Sequence, residues 1–408
     1  MVVVVDSSVI DDGDGGGEVV VREFDGGRDR AGVEQVERAC EVGPSGTKLS
    51  LFTDLLGDPL CRIRHSPSSL MLVAEIGAEI VGVVRGCVKA VSCGGGRSDT
   101  FAKAAYLLGL RVAPRHRRRG VGTKLVARME EWFVQSGAEY AYVATDRDNE
   151  ASVKLFTGPV FGYSKFRTPS LLVHPVFPGH DLATPRRDAA VLRLNVRDAE
   201  LLYRRFFAAV EFFPRDIHKV LSNPLSLGTF LAVPPDTAKS WRDGGGGVEG
   251  FLASPPASWA VASVWNSKEA FRMEVRGAPR LWRAAARATR AADRAAPWLG
   301  IPSIPNLFEP FGIHFVYGLG GEGPGAPRLV RALFRHAHNA ARRAGARVVA
   351  TEVAACDPLR DGVPHWPRLG ADDLWCIKRL ADGYGDGALG DWTKASPGKS
   401  IFVDPREF

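Results

Sequence analysis

Arg117, Gly120 and Gly122 have the types and the spacing of residues that bind an anion. From Val121 to Phe133 the apolar side chains recur at 3.6-residue spacing, which predicts a helix that begins just after Gly120. At a helix N-terminus the first backbone N–H groups have no intrahelical acceptor, and the helix dipole is positive there. Glycine carries no Cβ atom, so a phosphate can approach this backbone closely. We call residues 117–123 the anion loop.

Predicted strands and helices alternate around this loop. Apolar runs and period-2 alternation indicate strands, and 3.6-residue spacing indicates helices. The predicted strands span 19–24, 70–75, 80–88, 104–112 and 139–146, with one more after residue 163, and the predicted helices span 29–40 and 149–156. The strand at 104–112 leads directly into the anion loop.

Two motifs in this region resemble those of the GNAT superfamily of N-acetyltransferases. Arg117-x-x-Gly120-x-Gly122 is similar to the loop that binds the pyrophosphate of acetyl-CoA in that family. Asn149, followed by Leu155-Phe156 and Gly162-Tyr163, is similar to the family's Asn-x-x-Ala/Ser-x-x-Leu-Tyr-x-x-x-Gly-Phe segment. Residues 144–169 more narrowly resemble the plant Hookless-type N-acetyltransferases. The resemblance implies an α/β (α+β) fold with a central mixed, mostly antiparallel sheet flanked by helices.

The resemblance also implies how acetyl-CoA, the cosubstrate, is bound. Leu110 and Val112, on the strand before the loop, would hold the thioester and pantetheine through their backbone groups. Asn149 and Phe156 of the second motif also belong to the implied cofactor site. The loop residues implied to bind the pyrophosphate are Arg117, Arg118, Arg119, Gly120, Val121, Gly122 and Thr123. Arg115 or Lys124 would reach the 3′-phosphate, and simple solvation of both is an equal alternative.

Acetyl transfer to an amine requires a base, because a lysine amine has a pKa of about 10.4. Histone-type relatives carry a glutamate on the strand before the loop, and the matching position here is Tyr106. Asp146 and Glu75 are alternative bases, and each is also typical of a solvated carboxylate. The family's usual acid is the tyrosine of Leu-Tyr, whereas this chain has Phe156. Three alternatives remain open: water protonates the leaving thiolate, Tyr106 protonates it, or turnover is slow.

The second half of the chain contains a fainter copy of the first. Val143-Ala-Thr-Asp146 recurs 206 residues later as Val349-Ala-Thr-Glu352, after a similar strand, glycine turn and helix. We therefore predict a second, degenerate GNAT-like domain, with an unrelated α/β domain as the alternative. Pro324 and Pro327 remove N–H donors from the second loop, so we predict that it does not bind coenzyme A.

A length of 408 residues suits two domains. The prolines that follow residue 168 work against a helix or a central strand, which predicts a linker. The predicted division is a disordered acidic, glycine-rich tail (1–17), an acetyl-CoA-binding domain (18–170), a linker (171–185), a degenerate GNAT-like domain (186–385) and a C-terminal tail (386–408).

Composition narrows the function classes. No run of about 20 apolar residues predicts a membrane span, and the start lacks the basic region of a secretory signal. Six cysteines without C-x-x-C spacing predict free thiols and no metal site. A net charge of +7 permits acidic partners. The arginines of 115–119 are assigned to coenzyme A and those of 276–294 to a solvated helix face, with a chromatin contact as the alternative for the latter, so direct nucleic-acid binding is not expected.

Together these features predict an acetyl-CoA-dependent N-acetyltransferase that acts by direct transfer to an amine in a ternary complex. The Hookless-type resemblance implies a protein lysine, including a histone lysine, as acceptor. It also implies a nuclear location, with the cytoplasm as the alternative, and a role in plant development. The competing hypothesis is a catalytically weak regulatory or scaffold protein that binds acetyl-CoA. The sequence leaves the oligomeric state open.

Overall fold

A computed structural model describes residues 17–42, 50–95, 100–184, 188–242, 246–299, 303–381 and 390–408. The predicted acidic tail lies outside these ranges except for residue 17. In the amino-terminal half, up to residue 184, the helices are α1 (Arg30–Ala39), α2 (Val121–Gln135) and α3 (Glu150–Thr157). The strands of this half are β1 (Val19–Glu23), β2 (Ser50–Asp54), β3 (Ser69–Ile76), β4 (Glu79–Ser92), β5 (Phe101–Val112), β6 (Tyr140–Asp146), β7 (Ser164–Arg167) and β8 (Ser170–Pro175).

The carboxy-terminal half begins at residue 188 and also mixes helices with strands. Its helices are α4 (Val196–Phe207), α5 (Ile217–Leu221), α6 (Pro235–Arg242), α7 (Gly247–Ala253), α8 (Arg280–Ala295) and α9 (Ala326–Ala344). Its strands are β9 (Ala190–Leu194), β10 (Ser226–Val233), β11 (Trp259–Asn266), β12 (Arg272–Arg276), β13 (Ile313–Glu322), β14 (Val348–Val353) and β15 (Ala371–Arg379).

Thirteen of these strands form one mixed sheet that runs through both halves. Neighbouring strands are antiparallel except for two parallel pairs, β5 with β6 and β13 with β14. The order across the sheet is β1, β3, β4, β5, β6, β15, β8, β14, β13, β11, β10 and β9, and β7 pairs with β15. The predicted fold class is therefore confirmed. The remaining strands, β2 and β12, form a separate antiparallel ribbon between the halves.

The two halves exchange one strand each at the centre of the sheet. β15 comes from the carboxy-terminal half and pairs with β6, and β8 comes from the amino-terminal half and pairs with β14. Counted outward from this centre, the halves have matching strand orders, with β6 equivalent to β14 and β5 equivalent to β13. The second copy predicted from the recurrence of Val143–Asp146 at Val349–Glu352 is therefore present, and these two segments lie in β6 and β14.

Two segments differ from the sequence-based expectation. Residues 171–175, expected to begin a linker, belong to the central strand β8, because Pro175 stands at its last position, where a missing N–H is tolerated. Part of the expected C-terminal tail is buried. Phe402 and Asp404 are each 1% exposed, and Lys89 Nζ lies 2.9 Å from Asp404 Oδ2. The chain end therefore packs in the core between the halves.

One helix of each half covers the same face of the sheet. The apolar side of α2 packs against β4, and Gly86 of β4 permits the close approach, because a Cβ atom there would lie 2.4 Å from Met129 Sδ. In the other half α9 buries Leu333 and Phe334 in an equivalent core. The opposite face carries a single core that extends through both halves and includes α1, α4 and Phe402.

Ile377 of β15 is fully buried, so it tests the exchanged strand. We expect Ile377→Ala to lower the free energy of unfolding by about 2–5 kcal/mol, because it removes buried methyl groups and leaves a cavity. Denaturant unfolding, followed by tryptophan fluorescence and by far-UV circular dichroism, measures the change.

Because β15 ties the halves together, both probes are expected to show one coincident transition. Val160→Ala is the control, since Val160 is 70% exposed. Its effect is expected to stay below about 0.5 kcal/mol. Two separate transitions, one for each half, would contradict the structural role assigned to the exchange.

Candidate active site

The anion loop leads into α2, as predicted. Gly120 is the N-cap of α2 with φ +74°, and a Cβ atom built on it meets no atom within 4 Å. In the described part of the chain, the backbone N–H groups of residues 118–123 donate to no backbone carbonyl. The next one, that of Lys124, donates to Gly120 O at 3.0 Å. A run of free N–H groups at a helix N-terminus is a binding site for an anion.

β5 and β6 separate beside this loop. Their parallel pairing ends at Leu107 and Val143, and β5 then carries a β-bulge at Gly109, where φ is +62°. The bulge changes which face of the sheet the β5 side chains occupy. Tyr106 belongs to the core that includes α1, whereas Leu110 packs with the core under α2. Beyond Leu107 the β5 backbone is therefore no longer paired with β6. The Leu110 and Val112 carbonyls accept hydrogen bonds from the Arg111 and Arg117 side chains, at 3.2 Å and 3.3 Å, and a ligand that uses these carbonyls meets those donors.

A cavity of about 940 Å³ opens at this gap and extends into the carboxy-terminal half. Most of the site residues predicted from the sequence line it: Tyr106, Leu110, Val112, Arg117, Arg118, Gly120, Val121, Gly122, Thr123, Asp146, Asn149 and Phe156. The structure thus brings the anion loop, the separated strand and two of the three candidate bases around one space.

Three of the predicted cationic contacts do not line the cavity. Arg119 lies 3.2 Å from His116 Nδ1, Arg115 forms an ion pair with Glu79, and Lys124 Nζ donates to Val19 O at 3.3 Å. Each of these side chains is long and exposed at the surface. Their contacts with the pyrophosphate or the 3′-phosphate stay predictions.

Glu75 lies outside the cavity, which removes it from the candidate bases. Its carboxylate pairs with Arg22 and Arg28, each at 2.6 Å. The hydrogen bond from Arg22 holds the pKa of Glu75 below its usual range. A carboxylate kept ionised by two arginines, on a different part of the sheet, cannot take a proton from an amine in the cavity.

Tyr106 lies in the cavity but is unsuited to act as a base. Its ring stacks on Tyr142 with a centroid distance of 4.7 Å. Burial raises the pKa of Tyr106 well above its usual range, so its hydroxyl stays protonated at neutral pH. Phe156 is buried against Tyr163, with a centroid distance of 5.5 Å, and supplies no proton donor where the family usually has a tyrosine.

A group of three carboxylates lines the cavity where the halves meet. We call Asp146, Glu352 and Asp373 the carboxylate cluster. Asp373 of β15 is the cross-strand partner of Asp146 of β6, and Glu352 lies near the end of β14. Trp375 Nε1 donates to Glu352 Oε1 at 3.0 Å. The cluster therefore combines one residue of the amino-terminal half with two of the other half.

Glu352 and Asp373 share a hydrogen bond between their carboxyl groups. Burial and the Asp373 charge raise the pKa of Glu352 well above its usual range. Burial and the Asp146 charge raise the pKa of Asp373 to about 6. Two ionised carboxylates cannot donate to each other, so Glu352 carries the proton and Asp373 accepts it. Asp373 is thus an ionised, poorly solvated carboxylate at neutral pH.

Sequence reasoning named Asp146 but missed Glu352 and Asp373. A signal for Glu352 was present, because the recurrence of Val-Ala-Thr-Asp as Val-Ala-Thr-Glu marks it as the counterpart of Asp146. Nothing in the sequence indicated that strand exchange would bring the equivalent ends of β6 and β14 to one cavity. Asp373 lies in a short polar stretch with no motif.

The second loop lacks the donors of the first. Pro324 and Pro327 have no N–H, Gly325 N donates to Ser258 Oγ at 2.9 Å, and Ala326 N donates to Gly323 O at 3.1 Å. The equivalent bulge at Gly318 is covered as well, since Tyr203 Oη donates to its carbonyl. The geometry agrees with the prediction that this loop binds no coenzyme A.

The described residues contain no group of three or more His, Cys, Asp or Glu side chains arranged to hold a metal ion. No helix among them has the length and apolar character needed to cross a membrane. The six cysteines are free thiols.

Gly120→Glu tests the anion loop. We expect it to weaken acetyl-CoA binding by about 100-fold or more, because it places a negative charge against the pyrophosphate, a repulsion of several kcal/mol at short range. Isothermal titration calorimetry measures the dissociation constant. Gly162→Glu is the matched control, because Gly162 has φ +66°, similar open space and a position outside the cavity. Equal binding by both variants would refute the assignment.

Comparison with known proteins identifies the family. Residues 39–160 match the model of the Acetyltransferase (GNAT) family. The chain is 60% identical to "Probable N-acetyltransferase HLS1" of Arabidopsis thaliana, over 95% of this chain and 100% of that protein. It is 43% identical to "Acetyl transferase GW6a" of Oryza sativa subsp. japonica, over 96% of this chain and 97% of that protein.

A solved structure shares the fold at much lower sequence identity. Saccharomyces cerevisiae N-myristoyltransferase, determined with bound myristoyl-CoA, has a TM-score of 0.53 and 10% identity, over 88% of this chain and 79% of that chain. This likeness shows the architecture alone. The relatives that match almost end to end settle the family, and the chain belongs to the GNAT family of N-acetyltransferases, resembling its Hookless-type members.

Proposed function

We propose that the protein transfers the acetyl group of acetyl-CoA directly to a primary amine, in a ternary complex, with Asp373 as the base. One observation carries this proposal: Asp373 lines the cofactor cavity with a pKa raised to about 6. A general base is most effective when its pKa lies near the operating pH. An aspartate at its ordinary pKa of about 3.9 would be a much weaker proton acceptor.

The carboxylate cluster prepares the acceptor for attack. An alkylammonium has a pKa of about 10.4 and must lose a proton before its nitrogen becomes nucleophilic. Asp373 attracts the ammonium group and takes this proton. Glu352, held by Trp375 Nε1, donates its hydrogen bond to Asp373 and keeps that carboxylate oriented.

The chain's own groups fit acetyl-CoA as cosubstrate. The free N–H groups of residues 118–123 suit its pyrophosphate, and the open β5 backbone beyond Leu107 suits its pantetheine. When bound, acetyl-CoA supplies a thioester whose carbonyl carbon forms the new C–N bond while the C–S bond breaks. The remaining proton of the attacking nitrogen must reach the sulfur. Phe156 cannot relay it and Tyr106 has a raised pKa, so we assign this transfer to water.

The resemblance to Hookless-type proteins extends the proposal to a protein lysine, including a histone lysine, acetylated in the nucleus during plant development. Only the similarity to plant relatives supports this extension. Acetylation of histone peptides and localisation of a tagged full-length chain test it directly. A protein that remains in the cytoplasm would exclude a nuclear histone as acceptor.

Phe156 favours a second candidate function. A cavity without the usual tyrosine acid is compatible with a regulatory protein that binds acetyl-CoA and turns over slowly. The two candidates share the cofactor site and differ in whether the carboxylate cluster does chemistry. Variants of that cluster therefore discriminate between them.

Asp373→Asn is expected to lower kcat/KM for amine acetylation by about 100-fold or more, because it removes the base. Acetyl-CoA affinity is expected to stay within about twofold. In the wild type, kcat/KM is expected to fall as the pH drops below about 6, where Asp373 becomes protonated. Release of free thiol measures the rate, and calorimetry measures binding.

Asp361→Asn is the control, because Asp361 is exposed, lies outside the cavity and is not among the charges that shift the pKa of Asp373. A structural role alone would make Asp373→Asn less stable. We expect the opposite at pH 7. The folded-state pKa of Asp373 lies above its unfolded value, so ionisation costs folding free energy as the pH rises, and asparagine removes that cost. Unchanged turnover in Asp373→Asn would rule out the proposed base.

Asp146→Asn separates a neighbouring charge from the base itself. The Asp146 charge helps to raise the pKa of Asp373. Its removal is expected to shift the acid limb of the pH profile to lower pH by about 0.5–1 unit while most of the activity remains. The profile of kcat/KM between pH 4.5 and pH 8 provides the measurement. Loss of the limb together with the activity would instead identify Asp146 as the base.

A further inference from the structure

The cavity continues past the carboxylate cluster into a region with different chemistry. We call this region the acceptor chamber. Its floor is formed by β8, β13 and β14 of the sheet, and the β2–β12 ribbon and the segment at 307–311 face it. Residues that define it are Leu171, Val173, Met273, Phe311, Ile313 and Val348. Backbone bonds tie the facing parts together, with Met273 and Phe311 exchanging two hydrogen bonds of 3.0 Å and 2.8 Å.

The two halves of the chain contribute different charges to the cavity. The described lysine and arginine residues that line it come from the amino-terminal half: Arg62, Arg111, Arg117, Arg118 and Lys154. Of these, Arg62 reaches the edge of the acceptor chamber, where it lies over the Phe271 ring. From residue 171 onward, the described lining residues include no lysine or arginine and only three ionisable side chains, Glu352, Asp373 and Glu407. One end therefore suits the anionic cofactor, and the other suits an apolar molecule that carries a positive group.

Only one of these acidic positions is available to a cation. Glu407 pairs with Lys89 at 2.6 Å and accepts the Tyr142 hydroxyl at 2.7 Å, so its charge is compensated. Burial and the Asp373 charge raise the pKa of Glu352 well above its usual range, so Asp373 and the neighbouring Asp146 are the partners for a cation. Arg62 lies over the Phe271 ring, 5.5 Å from its centre, at the edge of the chamber. A second positive charge on the acceptor would meet apolar side chains and this arginine, and it would lose its hydration without a partner.

We infer that the acceptor is a primary amine carried on an uncharged, apolar body, with its amine at the carboxylate cluster and its body in the acceptor chamber. This inference rests on the proposed function for its chemistry. It disfavours polyamines and the lysines of strongly basic peptides, and it therefore stands against the extension of the proposed function to a histone lysine, which rests on family resemblance alone. Apolar side chains on three sheet strands bind the acceptor by burying its apolar surface. The carboxylate cluster binds its amine and so fixes which end of the acceptor faces the thioester.

Three acceptors of nearly equal length test the inference with the full-length chain and saturating acetyl-CoA. Hexylamine, 1,6-diaminohexane and 6-aminohexanoate differ only in carrying no charge, a positive charge or a negative charge at the far end. We expect kcat/KM for hexylamine to exceed that for 1,6-diaminohexane by at least about tenfold. It should exceed that for 6-aminohexanoate by less, because the Arg62 guanidinium, whose Nε has no hydrogen-bond partner among the described residues, partly compensates that carboxylate. A preference for the diamine, for the aminohexanoate or for an arginine-rich histone peptide would overturn it.

Met273→Glu places a carboxylate in the chamber. We expect it to change the ratio of kcat/KM for 1,6-diaminohexane to that for hexylamine by about tenfold in favour of the diamine, because the second ammonium gains a partner. Arg272→Gln is the control, since it changes the net charge by the same amount on the adjacent residue, whose side chain does not line the cavity. If Arg272→Gln changes the ratio as much as Met273→Glu does, the change comes from net charge and not from the acceptor chamber, and the inference is refuted.

Binding measurements separate this inference from the proposed function. If no amine is acetylated, calorimetry of the three acceptors on the chain saturated with coenzyme A still reports on the chamber. Tighter binding of hexylamine would then support the chamber while the enzymatic proposal fails. Turnover that depends on Asp373 but shows no preference among the three acceptors would leave the proposed function standing and refute the chamber.

Discussion

The backbone ladder between exchanged strands at the centre of the sheet is the constraint on which the rest of the structure depends. Without β15, β6 would be an edge strand with a row of unpaired N–H and C=O groups, and β14 would be an edge without β8. Each half therefore needs a strand of the other to satisfy its backbone. The same pairing places Asp373 opposite Asp146 and brings Glu352 to the same place, so the candidate base exists only when both halves are assembled.

The buried chain end fixes the position of the halves by a different kind of interaction. Lys89 of β4 binds both Asp404 and Glu407, and Arg406 binds Asp404 and Asp216 of the carboxy-terminal half. Buried ion pairs add little stability over an apolar core, but breaking one leaves a charge without solvent or partner. The network therefore permits few alternative positions for residues 402–408. One consequence is that Glu407 stays neutralised and does not compete with Asp373 for a cation.

Sequence patterns predicted the local features of the site well and its long-range features poorly. The strand, anion loop and helix around Gly120 follow from periodicity and glycine spacing over about 30 residues, and these signals are local. The prolines around Pro175 suggested a linker, because a central strand that ends at a proline resembles the start of a loop. The pairing of β15 with β6 joins residues more than 200 positions apart. No local pattern encodes such a contact, and with it the positions of Asp373 and of the buried chain end were missed.

The two copies of the fold have diverged into complementary parts of one site. The first copy keeps free N–H donors before α2, whereas in the second copy Pro324, Pro327 and the contact with Ser258 remove them. At the strand end equivalent to Asp146 the second copy carries Glu352, whose pKa is raised well above its usual range by burial and by the charge of Asp373. The residues that the second half contributes to the cavity include no lysine or arginine among those described. Between Ile313 and Val348 no described residue of the second copy lines the cavity, so its second loop contributes neither donors nor cations there.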